Sequence, residues 1–540
     1  MRITYILVSI VFLICFSFFN AYGCSGFAEC KKEAEEGNAK AQNYLGGMYN
    51  NGLGVETNYS EAMKWYERAA EQGYMLSQYN LGLMFLKGQG VDKNQKRAAE
   101  WFRKAAQQGD AEAQHDLGLM YSLGKGVVQD HEEAAKWYRK AAEQGYVLSQ
   151  YNLGLMFLKG QGVDKNQKKA ATWFRKAAEQ GDAAAQYYLG ILYYEGRGVE
   201  QNYKEAARWY RKSAEQGYAS AQYDLGLMYI NGYGIVQDDK EALKWFKKTA
   251  EQGYAVAQGI LASMYYRGRG TTQNHKEAVM WFKKSAEQGY AVAQYNLGSM
   301  YNRGYGVTQD YNEAAKWFRK AAEQGYAPAQ NSLGSMYGRG NGVEQDDREA
   351  LIWFEKSAEQ GLAIAQYNLG LMYGNGDGIK KDLKKAMRWL EKAAAQGHAS
   401  AQYNLGMMYD KGYGVAQDFE EAVKWYSESA EQGDAEAQYA FGLMYYVGHG
   451  VVQDYKKSMR WFRNAAGQGI VFAQYFLGKM YANGYGVQRN DYMAYLFLSI
   501  ATANGDNDSK KLRNKVARNM TPEQIAAAQK KAIEWRINHG

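Results

Sequence analysis

The chain has 540 residues, and lysines and arginines exceed acids by a formal net charge of +8. Lys and Arg alternate with Glu on the same segments, which makes a solvated helix surface and excludes the concentrated basic face of a nucleic-acid binder. Two prolines and three cysteines exclude a linker-rich chain and a disulfide-built scaffold, so stability has to come from packing.

At the N-terminus Arg2 precedes "ITYILVSIVFLICFSFF", then "AYG" and Cys24. A basic start, an apolar core and an A-x-G site predict a secretory signal peptide over residues 1–23. The apolar run also approaches bilayer-spanning length, so a retained anchor is the alternative. Cleavage after Gly23 leaves Cys24 first, as at a lipoprotein attachment site, although Ala21 and Tyr22 depart from that pattern. The expected location is therefore outside the cytoplasm: periplasmic, secreted, or lipid-anchored at Cys24, with membrane contact confined to this segment. If Cys24 and Cys30 share one helix, six residues rise about 9 Å and the two thiols cannot meet. Residues 24–36, with "FAECKKEAEEG" at 27–37, predict a half-repeat cap resembling the tail of a second helix.

From 37 to 505 the chain keeps a 36-residue grid. The glycine closing "EQG" returns at Gly73, Gly109, Gly145 and on to Gly469, and a tryptophan returns from Trp65 and Trp101 to Trp461. In the unit 37–72, Ala41, Leu45, Met48 and Tyr49 fall on one helical face. Gly52 and Gly54 end that helix. Asn or Asp then opens a second one, at Asn58, Asn94, Asp130 and onward, usually with Glu three residues later as in a capping box. Ala62, Trp65, Tyr66, Ala69 and Ala70 form its buried stripe. One such hairpin has too few apolar side chains to offset its own ordering entropy, so neighbours must share faces and a solenoid follows.

The glycine-rich stretch "LGSMYNRGYGV" at 297–307 is one copy of this turn and not a phosphate loop. Gly118 and Gly124-Lys125 also fail the Walker spacing, with Gly126 where Ser or Thr is required. Blocks 74–109 and 146–181 differ at four positions, the mark of a duplicated pair of repeats. Beyond Gly505, residues 506–540 predict two amphipathic capping helices, the second started by Thr521, Pro522 and Gln524.

The string "AEAQYAFGLMYYVGHGVVQDYKKSMRWFRNAAGQG" (435–469) and its sisters resemble the Sel1-like repeat, a relative of the tetratricopeptide repeat. Departures are the absent proline after G-x-G-V and Ala262 in place of the first-helix glycine. The resemblance implies an all-α, right-handed superhelical solenoid of about thirteen antiparallel helix pairs, with first helices lining the concave side. It implies an interaction adaptor, in bacteria often at the envelope or the host interface.

First-helix positions 40, 44, 47 and 51 and their copies should face that groove. At the third of these, five repeats carry Leu83, Leu119, Leu155, Ile191 and Leu227, and the next three carry Ser263, Ser299 and Ser335. One turn on stand Arg267, Arg303 and Arg339. Stacked Ser and Arg would form a basic ladder suited to an acidic protein or peptide, or to an anionic glycan; the plain alternative is a duplicated solvated surface. His115, His131, His275, His398, His449 and His539 occupy unrelated repeat positions, and Ser122-Leu-Gly-Lys125 lacks the companion motifs of a serine acylase. The sequence therefore predicts no catalytic residue, metal or cofactor. It predicts an exported protein-binding scaffold, with a cell-wall factor that binds or acts weakly on peptidoglycan as the alternative.

Overall fold

The computed structural model describes residues 26–539, so the signal segment and Cys24 lie outside the described residues. Among the described residues there are 29 helices and no strand. After the helix Phe27–Glu35, thirteen-residue helices alternate in pairs, from Ala39–Asn51 with Tyr59–Glu71 to Val471–Asn483 with Asp491–Ala503. The chain forms two compact units. One takes the described residues up to Met264 with Gly268–Thr272, and the other takes Tyr265–Arg267 and Gln273 onward. Within each unit a second helix packs against its own first helix and against the first helix of the following pair, which makes an all-α solenoid.

The turns explain the regularity. Each second helix opens on the Asn or Asp read from the sequence: Asn58 Oδ1 accepts from Glu61 N at 3.0 Å. The reciprocal half of the capping box is absent there, because the Asn58 N–H donates to the Tyr49 carbonyl at 2.9 Å. Glu61 is thereby free to pair with Lys64, at 2.6 Å. The last helix, Pro522–His539, has the full reciprocal box, with Thr521 N donating to Gln524 Oε1 at 3.0 Å and Gln524 N to Thr521 Oγ1 at 3.3 Å. In "RGYG" Gly304 caps Ala291–Arg303 at φ 71°, a left-handed angle that glycine adopts at little cost. Gly306 lies so close to the His275 carbonyl that a Cβ would sit 2.4 Å from its oxygen. The glycines are corners and close approaches, not an anion cradle.

Small residues set the helix spacing. Ala185, Ala206 and Ala214 are buried, and Leu189, Trp209 and Tyr210 fill the space between them. A lysine three residues on covers the outer face of most tryptophans, as Lys212 does over Trp209 at 4.6 Å and Lys104 over Trp101 at 3.7 Å. The tryptophan stripe is core, with its open edge shielded by a cation.

A half-buried amide chain joins the repeats. Gln78 Nε2 donates to the Ala70 carbonyl of the preceding pair at 3.2 Å. Gln108 Nε2 donates to Gln78 Oε1 at 2.8 Å and to the Gly73 carbonyl at 2.9 Å. The same contacts recur, as at Gln186 with Ala178 and Gln216, and at Gln438 with Ala430 and Gln468. Helix-end carbonyls that already accept a backbone N–H, as Ala70 does from Gly73 at 3.0 Å, thereby gain a second partner from the neighbouring repeat.

Cys30 is buried and disulfide-bonded, and the chain's other cysteines, Cys15 and Cys24, are outside the described residues. The expectation that Cys24 and Cys30 cannot meet assumed one shared helix. That helix begins at Phe27, so the bar does not apply.

Candidate functional site

The outward positions of successive first helices, with a ring from the second helix as floor, enclose small cavities. In the second unit one of about 160 Å³ is lined by Tyr266, Phe282, Asn296, Ser299, Arg303 and Tyr305, among others. Of the six residues expected to form a polar ladder, this cavity brings together two, Ser299 and Arg303. Ser335 and Arg339 stand at the same register one repeat on, and Ser263 belongs to the other unit. All three arginines are exposed, in the last turn of their helices, where the helix dipole favours a cation. The three serines are half-buried, and Ser299 Oγ is turned back onto its own helix, donating to the Tyr295 carbonyl at 3.0 Å. Among the described residues no carboxylate pairs with Arg303.

In the first unit a cavity of about 360 Å³ has the same register two repeats earlier, and sequence reasoning did not find it. Tyr210 and Met228 form its floor, Tyr187, Tyr194 and Tyr233 its walls, and Glu195 and Asp224 bring carboxylates. Tyr194 and Tyr233 lie 6.3 Å apart, centroid to centroid. Burial pushes the Asp224 carboxyl above its usual range, while a hydrogen bond from Tyr187 acts the other way. The available signal was that Asp occupies this repeat position only at 116 and 224.

At Asp116 the same tyrosine–aspartate pair forms, with Tyr79 Oη donating to Oδ2 at 3.2 Å. Burial raises Asp116 to about 6, and Lys87 partly offsets this. His115 beside it is lowered to about 4 by burial. Its Nδ1 lies 2.9 Å from Ser149 Oγ, a spacing that a serine hydrolase would use. Ser149 is wholly buried, however, and at the matching place Ser77 Oγ donates to Asn43 at 2.8 Å. The pair is a packing contact in which His replaces Asn. Among the described residues no group of His, Cys, Asp and Glu could hold a metal, and no helix is long and apolar enough to cross a membrane.

The Sel1 repeat family model matches thirteen consecutive segments between residues 39 and 506. A crystal structure of a protective antigen present in uropathogenic Escherichia coli strains, with an SLR fold, is 36% identical. It aligns over 82% of this chain and 95% of that one, with a TM-score of 0.75. A Sel1 repeat protein from Oxalobacter formigenes is also 36% identical, over 57% of this chain and 90% of its own, with a TM-score of 0.49. No curated protein matches the sequence.

Proposed function

The chain belongs to the Sel1 repeat family, and from that premise we propose that it is an exported scaffold holding an acidic protein or peptide along its first helices. Solenoids of such repeats generally mediate protein–protein interaction and are typically non-catalytic. The observation that carries the finer reading is the cavity at Ser299 and Arg303. An arginine with no carboxylate of its own stands there beside tyrosines, and a guanidinium fork matches a partner's carboxylate. Export is supported by the basic start, apolar core and A-x-G site of residues 1–23. It is also supported by the similarity to a protein described as a protective antigen.

The test is capture from envelope extract by the full-length mature chain, beside the triple variant Arg267→Glu, Arg303→Glu, Arg339→Glu. A carboxylate-rich partner cross-linked near Arg303, and lost with the triple variant, is the expected result. Unchanged capture by the variant overturns the arginine site. Co-sedimentation with sacculi in place of protein capture overturns the scaffold reading in favour of cell-wall binding. Mass spectrometry of the N-terminus together with fractionation tests export: a chain beginning at Met1 in the soluble cytoplasmic fraction refutes it, one beginning at Met1 in the membrane fraction marks a retained anchor, and an acylated Cys24 marks a lipid anchor.

A further inference from the structure

The two cavities described above occupy one register, two repeats apart, and differ in charge. Asp224, Leu227 and Asn231 of the first unit correspond to Asn296, Ser299 and Arg303 of the second, while the tyrosines Tyr194 and Tyr233 correspond to Tyr266 and Tyr305. The aromatic frame is kept and the charge is exchanged. Glu195 likewise stands where the second unit has Arg267.

The comparison with Asp116 sharpens the point. Three repeats before Asp224, the same half-buried tyrosine–aspartate pair is raised mainly by burial, with Tyr79 and then Lys87 acting the other way and Glu112 and Asp110 adding to the rise. The residue matching Lys87 is Glu195, so the first-unit cavity carries a second acid where its earlier counterpart has a cation. No lysine or arginine acts on Asp224, whose burial is eased only by Tyr187. Glu195 pairs at the rim with Arg197 at 2.9 Å, the arginine side chain about half exposed and the glutamate about one third. A half-buried carboxylate without a cation, in a cavity of about 360 Å³ walled by tyrosine rings, has the composition of a cation receptor.

We infer that the cavity formed by Tyr187, Tyr194, Glu195, Asp224 and Tyr233 binds a basic side chain, arginine or lysine, of a partner polypeptide. Its carboxylates supply charge, and its ring faces supply the flat surfaces on which a guanidinium stacks. The inference shares with the proposed function only the premise that the first helices hold peptide. It does not depend on the arginine site.

The experiment uses the full-length chain labelled with ¹³C at methionine methyls, the Met228 signal being assigned by Met228→Leu. Acetyl-Ala-Arg-Ala-amide and acetyl-Ala-Lys-Ala-amide are titrated against the neutral isostere with citrulline in place of arginine. Both basic peptides should shift the Met228 signal, and the citrulline peptide should bind at least about tenfold more weakly. Asp224→Asn with Glu195→Gln should lose the same factor, while Glu313→Gln, a partly exposed acid of the second unit outside both cavities, leaves it unchanged. Equal binding of the citrulline peptide, or no Met228 shift up to about 10 mM peptide, overturns the inference in the unmodified protein, whatever the variants do. Loss with Glu313→Gln would place the binding in the second unit and overturn it as well. Failure of the arginine-site capture experiment leaves this result untouched.

Discussion

Two adjacent glycines in the first repeat provide a test of what sets the helix spacing. Gly46 and Gly47 both lie inside Ala39–Asn51, so replacing either with alanine should gain about 0.5–1 kcal/mol from helix propensity alone. Their surroundings differ. A Cβ on Gly46 would stand 2.8 Å from the Tyr66 Cδ1, in a ring that is buried, whereas one on Gly47 would meet only the Tyr66 hydroxyl at 3.6 Å. Forcing a methyl against a packed ring costs about 1–3 kcal/mol. Gly47→Ala should therefore stabilise the pair and Gly46→Ala should not, the two separated by about 1–3 kcal/mol. Because a solenoid opens locally, the assay is native-state hydrogen exchange read on Ala39–Asn51 and Tyr59–Glu71. Exchange there should be between about fivefold and a hundredfold faster in Gly46→Ala than in Gly47→Ala. Equal protection would mean that the Tyr66 ring yields freely, and that close approach of the helices is not what keeps this position small.

His115 and Asp116 should carry opposite pH dependences. A carboxyl raised to about 6 weakens the fold as pH rises from about 4 to 6, and an imidazole lowered to about 4 weakens it as pH falls from about 6.5 to 4. In the native chain the two largely cancel. Asp116→Asn should expose the histidine's loss at low pH, and His115→Asn the aspartate's loss at higher pH. Each amounts to at most about 3 kcal/mol, and about 1–2 after screening. Hydrogen exchange between pH 4 and 7 checks this, and parallel slopes in the two variants would contradict it. For the amide chain, Gln186→Leu removes one hydrogen bond each from the Ala178 carbonyl and the Gln216 side chain, which keep the Gly181 N–H and the Gly181 carbonyl, at a cost of about 0.5–1.5 kcal/mol per bond. The loss should appear in the helices on both sides of Gln186; a loss confined to Ala183–Glu195 would show that the amides do not couple the repeats.

The repeat, its caps and its buried stripe were legible because period and turn chemistry are local signals: Trp65, Asn58 and Gly52 each announce a position. The amide chain was not, although Gln78 and Gln108 return in nearly every copy. A buried glutamine looks like surface to a hydropathy pattern, and its partner is 30 residues away. The arginines were found by their spacing, but that could not show Ser299 folded back on its own helix, or that Ser299 and Arg303 share a cavity with Tyr266 of the preceding repeat. The acidic cavity depends on Tyr187 reaching Asp224 in the next repeat, which only stacked helices bring together.

The amide chain also bears on how such a gene can change length. The junctions on either side of residues 110–145 present the same carbonyls to the same glutamines, so the joint does not register which copy adjoins which. Crossing-over between the nearly identical stretches 74–109 and 146–181 would excise or add two whole modules and leave a seam chemically the same as the original. What such an exchange would alter is the order of charges displayed along the first helices, since His115 and Asp116 lie in the module between. The charge pattern of the first helices can thus be rewritten by recombination alone, with no new substitution and no damaged joint.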